Sequence, residues 1–157
     1  MTTNAKSASR QSLMDAVDSG NLGLVSQLIQ EGNNLDFSSG NGWTPLMLAV
    51  MHDFISIAEL LLKSGADPNL VTESQENPKR SPLFVAVSNG RPEAVKLLLA
   101  YHADIAHTDS NGMTALDLAR RLAQRPFRKE AMQSIVSVLS ERQTKGVQRG
   151  VLTTSAA

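Results

Sequence analysis

Two stretches decide the reading of this chain: "TPLMLAVMHDFISIAELLLKSGADPN", Thr44–Asn69, and "SPLFVAVSNGRPEAVKLLLAYHADIA", Ser81–Ala106. Laid one above the other, they are two copies of one pattern. Thr44 meets Ser81, Pro45 meets Pro82 and Leu46 meets Leu83; Ala49-Val50 meets Ala86-Val87; the run Leu60–Leu62 meets Leu97–Leu99; Ala66-Asp67 meets Ala103-Asp104. The offset is 37 residues, and a further 33 leads to Thr114, where "TALDLA" repeats the opening. Stepping back 33 from Thr44 reaches "QSLMDAVDSG" at Gln11 and, beyond it, "QLIQEGNN". A fixed period of this size marks a stack of similar units.

Each unit is legible as a helix pair. Thr44 and Ser81 suit the N-cap, and a proline at the next position gives up a hydrogen bond that the first turn does not make. Leu46, Ala49 and Val50 share one face of a short first helix, with the alanine where two helices approach closely. Ile57, Leu60 and Leu61 repeat that spacing in a second helix, which Gly65 ends in the left-handed region. One such pair is too small to bury its own apolar face, so neighbouring pairs must stack into a continuous core. Aromatic residues are only 4% of a chain that is 41% hydrophobic, so the core is aliphatic.

The period and the T-P-L opening resemble the ankyrin repeat family. The resemblance implies an all-α, ankyrin-type helical solenoid of stacked helix-turn-helix repeats with β-turn fingers. Four copies are expected, at about 6–38, 39–71, 76–108 and 109–140, within a repeat domain spanning 10–140. Residues 1–9 are expected to be a flexible N-terminus and 141–157 a disordered tail. The end copies are degenerate, as end units with a polar outer face should be. Gln27 stands where the second copy has Leu60, and Asn33-Asn34 replaces Ala-Asp. In the fourth copy Pro126 must stop or kink the helix before it. A last helix then carries Met132, Ile135, Val136 and Leu139 as its inner stripe, with Arg128, Lys129, Glu130 and Glu141 at its polar ends.

Composition removes several classes of function. The chain of 157 residues has no cysteine, which excludes disulfides, thiol catalysis and cysteine zinc sites. Lys and Arg number 15, as do Asp and Glu, so no net field recruits nucleic acid or a membrane. Residues 1–75 nevertheless hold three bases against eight acids, a net −5, and residues 76–157 hold twelve against seven, a net +5. The polar opening "MTTNAKSASRQS" lacks the apolar run of a secretory leader, and no segment reaches the roughly 18 apolar residues of a spanning helix. A soluble, monomeric, cytoplasmic protein is expected, with non-classical export as an effector left open. The short array with degenerate ends has a bacterial or viral look.

No nucleotide-binding, zinc-protease or serine-hydrolase motif occurs, and no cofactor or metal is implied. His52, His102 and His107 have no ligand-spaced partner along a helix, and Asp36, Asp67 and Asp104 suit turns that bond the local backbone. His102 stands in the Gly65 slot. A non-glycine residue there costs about 1–2 kcal/mol, so either the turn deviates or Tyr101-His102 is kept for contact.

Function must therefore lie in a surface, and an enzyme is the least favoured reading. The resemblance implies protein binding on a concave face made by the fingers and the exposed side of the first helices. The residues before the caps are Trp43, Arg80 and Met113. Late in the first helices come Met51 and His52, Ser88 and Asn89, and Arg121 and Leu122; before the second-helix glycine slot come Ser64 and Tyr101. Partner contact is assigned to Trp43, Met51, His52, Arg80, Ser88, Asn89, Tyr101, Met113 and Arg121. Tryptophan, tyrosine and arginine are the types enriched at binding hot spots. The partner is a protein, in one of three settings: a general adaptor, an immunity protein or inhibitor covering an active site, or an effector. The four extra residues in "VTESQENPKR", Val71–Arg80, lengthen one finger. The basic run Arg120–Lys129 lacks the stacking aromatics of a nucleic-acid site.

Overall fold

The computed structural model describes residues 3–72 and 79–151. Among these residues eight α-helices follow one another: α1 Thr3–Asp18, α2 Leu22–Gln30, α3 Pro45–Met51, α4 Ile55–Lys63, α5 Pro82–Ser88, α6 Pro92–Ala100, α7 Ala115–Ala123 and α8 Lys129–Val151. A 3-10 turn, Pro126–Arg128, separates α7 from α8. Among the described residues, the β-pairing amounts to two isolated antiparallel bridges, Thr72–Arg80 and Thr108–Thr114.

The helices form two rows. α1, α3, α5 and α7 stack on one another as the first-helix row, and α2, α4, α6 and α8 stack as the second. In the middle of the first row the burial is nearly complete. Every residue from Pro45 to Val50 is buried in α3, and every residue from Pro82 to Val87 in α5. The second row buries one stripe: Ile57, Ala58, Leu61 and Leu62 in α4, and Ala94, Val95, Leu98 and Leu99 in α6. Leu60, expected inside, is only half-buried at the stripe's edge, and the small Ala58 takes the place against the first row. The second row's outer face carries the ion pairs Glu59–Lys63 and Glu93–Lys96, each at 2.7 Å.

A ladder of side-chain acceptors ties the loops together. Asp36 N–H donates to Asn34 Oδ1 at 3.0 Å, and Asp67 N–H to Asp36 Oδ1 at 2.9 Å. Asn69 N–H then donates to Asp67 Oδ1 at 2.8 Å, Asp104 N–H to Asn69 Oδ1 at 2.7 Å, and Ala106 N–H to Asp104 Oδ1 at 2.8 Å. Local turns thus alternate with bonds between copies. Asp67 and Asp104 bond the local backbone as expected; Asp36 does not. Asn34 fills the local role in the first copy, which frees Asp36 to reach the next one.

Both chain ends differ from the expected coils. α1 begins at Thr3, where the expected flexible segment is 1–9, and the Ser9 hydroxyl meets the Asn33 side-chain oxygen. α8 continues to Val151, well past residue 140, and Arg142 Nη2 donates to the Leu99 carbonyl at 3.0 Å. Loss of apolar periodicity removes a packing face but not helix propensity, which Glu, Arg, Gln and Lys retain. Residues 152–157 of the expected tail lie outside the described residues, as do 73–78 of the long finger. The fourth copy behaves as a cap: α7 stops before Pro126, and Met132, Ile135 and Leu139 of α8 are buried with Val136 beside them.

His102 adopts φ +63°, so the turn does not deviate from the one that Gly65 makes at φ +96°. Its carbonyl accepts from Asn69 Nδ2 at 3.3 Å while its side chain is exposed. His102→Gly relieves the left-handed strain and keeps that carbonyl. Net of the freedom glycine adds to the unfolded chain, it should stabilise the protein by about 0.5–1 kcal/mol in urea unfolding. A loss of stability would mean that the imidazole is held by contacts worth more than the strain.

Candidate functional site

The finger end of the first row is built by its caps. Thr44 Oγ1 accepts from Met47 N–H at 3.1 Å, Ser81 Oγ from Phe84 N–H at 3.4 Å, and Thr114 Oγ1 from Asp117 N–H at 3.2 Å. All three caps have extended backbone, so each preceding residue is fixed at the base of a finger. Two fingers close in the same way. Ser39 N–H donates to the Trp43 carbonyl at 2.8 Å, and Asp109 N–H to the Met113 carbonyl at 3.0 Å. The turn between is held by the residue that opens it: Ser39 Oγ accepts from Trp43 N–H at 3.2 Å, and Asp109 Oδ1 accepts from Asn111 N–H at 2.8 Å and Met113 N–H at 3.0 Å.

Four of the expected residues stand at this end. Trp43 is half-buried, packed on the core with the rest of the ring open. Arg80 is half-buried at the bridge to Thr72, close enough to Asp109 to stabilise its charge. Arg121 reaches back two turns, and its Nη1 lies 3.8 Å from Met113 Sδ. Arg80 and Met113, with Arg121 joining them through Met113, are thereby gathered around Asp109, a residue the sequence analysis does not single out. Its signal was present in "DSNG", since an aspartate two residues before asparagine and followed by glycine makes an Asx turn. His107 supports the same region from below: Nε2 lies 3.1 Å from the Lys79 carbonyl, and its ring meets Phe84 edge-on at 6.4 Å.

The other five lie elsewhere and already have partners. The middles of α3 and α5 are buried on all sides, so those first helices open to solvent only at their last residues. His52 caps α3, sits 2.9 Å from Asp18 and stacks on Phe54 at 5.4 Å. The Met51 carbonyl accepts from Arg91 Nη2 at 3.4 Å. The Ser88 carbonyl accepts from Arg128 Nη1 at 2.8 Å, and Asn89 turns its Nδ2 onto the Val85 carbonyl at 2.9 Å. These four lie toward the bends that join first-row to second-row helices. Tyr101 caps α6, so it belongs to the second row, beside Lys63, and is not gathered with Trp43.

The electrostatics of the finger end follow from its donors. Burial of the Asp109 carboxylate opposes ionisation. The N–H groups of Met113 and Asn111, the Asn111 amide and the charge of Arg80 outweigh it and hold Asp109 below the ordinary carboxylate pKa. Asp117 is lowered by the Thr114 hydroxyl, 2.6 Å away, and by Thr114 N–H at 3.1 Å. Among the described residues, no three His, Asp or Glu side chains are placed to hold a metal ion. Nor is any described helix long and apolar enough to cross a membrane.

Comparison with known proteins places this architecture. The family model for ankyrin repeats (3 copies) matches residues 2–72 and 65–141. An ankyrin repeat protein of fowlpox virus (strain NVSL) is 31% identical over 102 residues, covering 64% of this chain and 17% of the viral protein. The ankyrin repeat and SAM domain-containing protein 6 of Mus musculus is 34% identical over 115 residues, 72% of this chain and 13% of its own length. A Danio rerio protein named as a palmitoyltransferase is 34% identical over 103 residues, 65% of this chain and 16% of its own. The chain thus spans about an eighth to a sixth of these relatives. They are viral and vertebrate, and give no support to a bacterial origin.

Both lowered carboxylates stabilise the fold while they are ionised. Their contribution is complete above the unfolded-state pKa and is lost as the pH falls through the lower folded-state values. Asp109→Ala should therefore lower the melting temperature at pH 7, and the gap to the wild type should narrow only as the pH falls past the unfolded-state carboxylate pKa and on through the lowered folded-state one. Thermal melts across that range measure it. A gap that stays constant down to the lowest pH would show that Asp109 acts through packing and not through its charge.

Proposed function

The chain belongs to the ankyrin repeat family, and from that premise we propose that it is a non-catalytic module binding a partner protein at the finger end of its first-helix row. Such repeats are general protein-interaction modules. One observation carries the location. The finger backbone is already held by caps, Asx turns and the loop ladder, so Arg80, Met113, Arg121 and the open part of Trp43 have side-chain surface that the fold does not use. They combine apolar area, a polarizable thioether and two guanidinium groups, the mixture favoured at the centre of interfaces. The corner residues Met51, His52, Ser88 and Asn89 have structural duties and drop out of the proposed contact set, as does Tyr101 on the second row.

An array of this kind offers recognition and no reaction. The contacts at Trp43 and Met113 come from short fingers whose turns are held by hydrogen bonds, so binding needs little ordering there. The basic residues near Arg121 favour a partner with acidic side chains at its rim.

The test is affinity capture from the source cells with three immobilised forms: wild type, Trp43→Ala with Met113→Ala, and His52→Ala with Asn89→Ala, each checked for unchanged helicity. A protein retained by the wild type and the corner variant but lost with the finger variant is the expected result. Loss of two hot-spot side chains should weaken binding about thirtyfold or more. Retention by the finger variant at wild-type yield would remove the finger end from the binding surface.

A further inference from the structure

Phe127 is 98% exposed, on the 3-10 turn at the bend between α7 and α8. Nothing in the fold requires a bare aromatic ring there. Its neighbours Arg125, Arg128 and Lys129 are all exposed, which makes a basic collar around an apolar knob. At the other end of the same edge lies a cleft. Gly20 and Leu22 from the α1–α2 bend and Phe54 and Ile55 from the α3–α4 bend line an open cleft of about 440 Å³. Its floor is the Phe54 ring, which lies 3.0 Å from where a Cβ on Gly20 would stand and has His52 stacked alongside. Leu22, 43% exposed, forms an open apolar wall. An apolar cavity of roughly 150 Å³ is enough to hold benzene, so a phenyl ring fits with room for its collar.

The rim of the cleft is acidic. Asp53 lines it, and Asp18 stands next to it against His52. Asp53 is 42% exposed and meets Arg91 only at 3.6 Å, leaving it open to a second cation. Knob and cleft therefore match in shape and in sign. They also sit in halves of opposite charge, −5 for residues 1–75 and +5 for 76–157, in a chain of net charge 0, so two copies do not repel as wholes.

We propose that this edge is a self-association surface, on which two copies of the chain pair antiparallel, each placing Phe127 in the Leu22–Phe54 cleft of the other. A two-fold axis through the middle of the edge makes both contacts at once, whatever their spacing along it. The arrangement closes as a dimer, buries the exposed ring twice and leaves the fingers open to another protein. It replaces the single-chain state expected from composition with a reversible dimer.

Sedimentation equilibrium of the full chain tests it. The wild-type mass should rise with concentration toward that of a dimer, and Phe127→Asp should raise the dimer Kd about tenfold or more. Leu22→Asp should do the same, with the fold preserved because an acid suits the first position of a helix. The absence of native cysteine permits a second readout. Ser56→Cys and Lys129→Cys, both at exposed positions, should form a disulfide-linked dimer when mixed and oxidised, and far less when each is oxidised alone. A monomeric wild type up to about 1 mM overturns the proposal. So does a dimer indifferent to Phe127→Asp, or cross-linking that is as strong within one cysteine variant as between the two.

Discussion

Helices of seven and nine residues cannot stand alone. Isolated helices shorter than about 12–15 residues are marginal in water, and a single pair leaves most of its apolar stripe wet. In this protein every structural feature answers that constraint. α3 and α5 are buried along all but their last residue because each is covered by its own second helix and by the first helices on either side. The residues in the middle of the row are accordingly Leu, Val, Ala and Met with one Phe, Phe84, and a capping Thr or Ser and a proline start each of these helices. Where the stack ends, α8 is long and covers the last face with Met132, Ile135 and Leu139.

The same constraint separates fold from function. Spacing between copies is set in two places, by apolar contact along the rows and by the ladder from Asn34 to Ala106 along the loops. The ladder uses one oxygen per step and alternates a local turn with a bond to the next copy, so each loop orients its neighbour. Once the backbone of a finger is placed this way, the residue before each cap is free to vary. Trp43, Arg80 and Met113 have nothing in common chemically, yet they occupy the same place in their units.

The repeat, the caps, the polar first unit and the stop at Pro126 were legible because each is a local choice with a local cause. Two kinds of feature were not. The ends of the chain carry no apolar period, and a helix such as α8 beyond residue 140 rests on propensity that periodicity does not report. Site residues were only half legible for a different reason. Register gives the position of a residue in its unit but not its partners. His52 with Asp18 and Arg128 with Ser88 are contacts made between elements, Asn89 turns back onto Val85 of its own helix, and all three turn apparent surface residues into supports. Asp109 was missed in the opposite sense: its turn is local, but the arginine that it gathers comes from another finger.

Two surfaces result, at opposite ends of the first row: a mixed apolar and cationic finger end, and an edge of bends with a knob and a cleft. The central claim is that the partner protein is held at the first of them. Amide hydrogen exchange of the chain with and without its captured partner tests it most directly. The account predicts slowed exchange at Trp43, Met113 and the turns around them, with the amides of α2, α4 and α6 unchanged. Slowed exchange confined to the second-row helices, with the fingers unaffected, would contradict it.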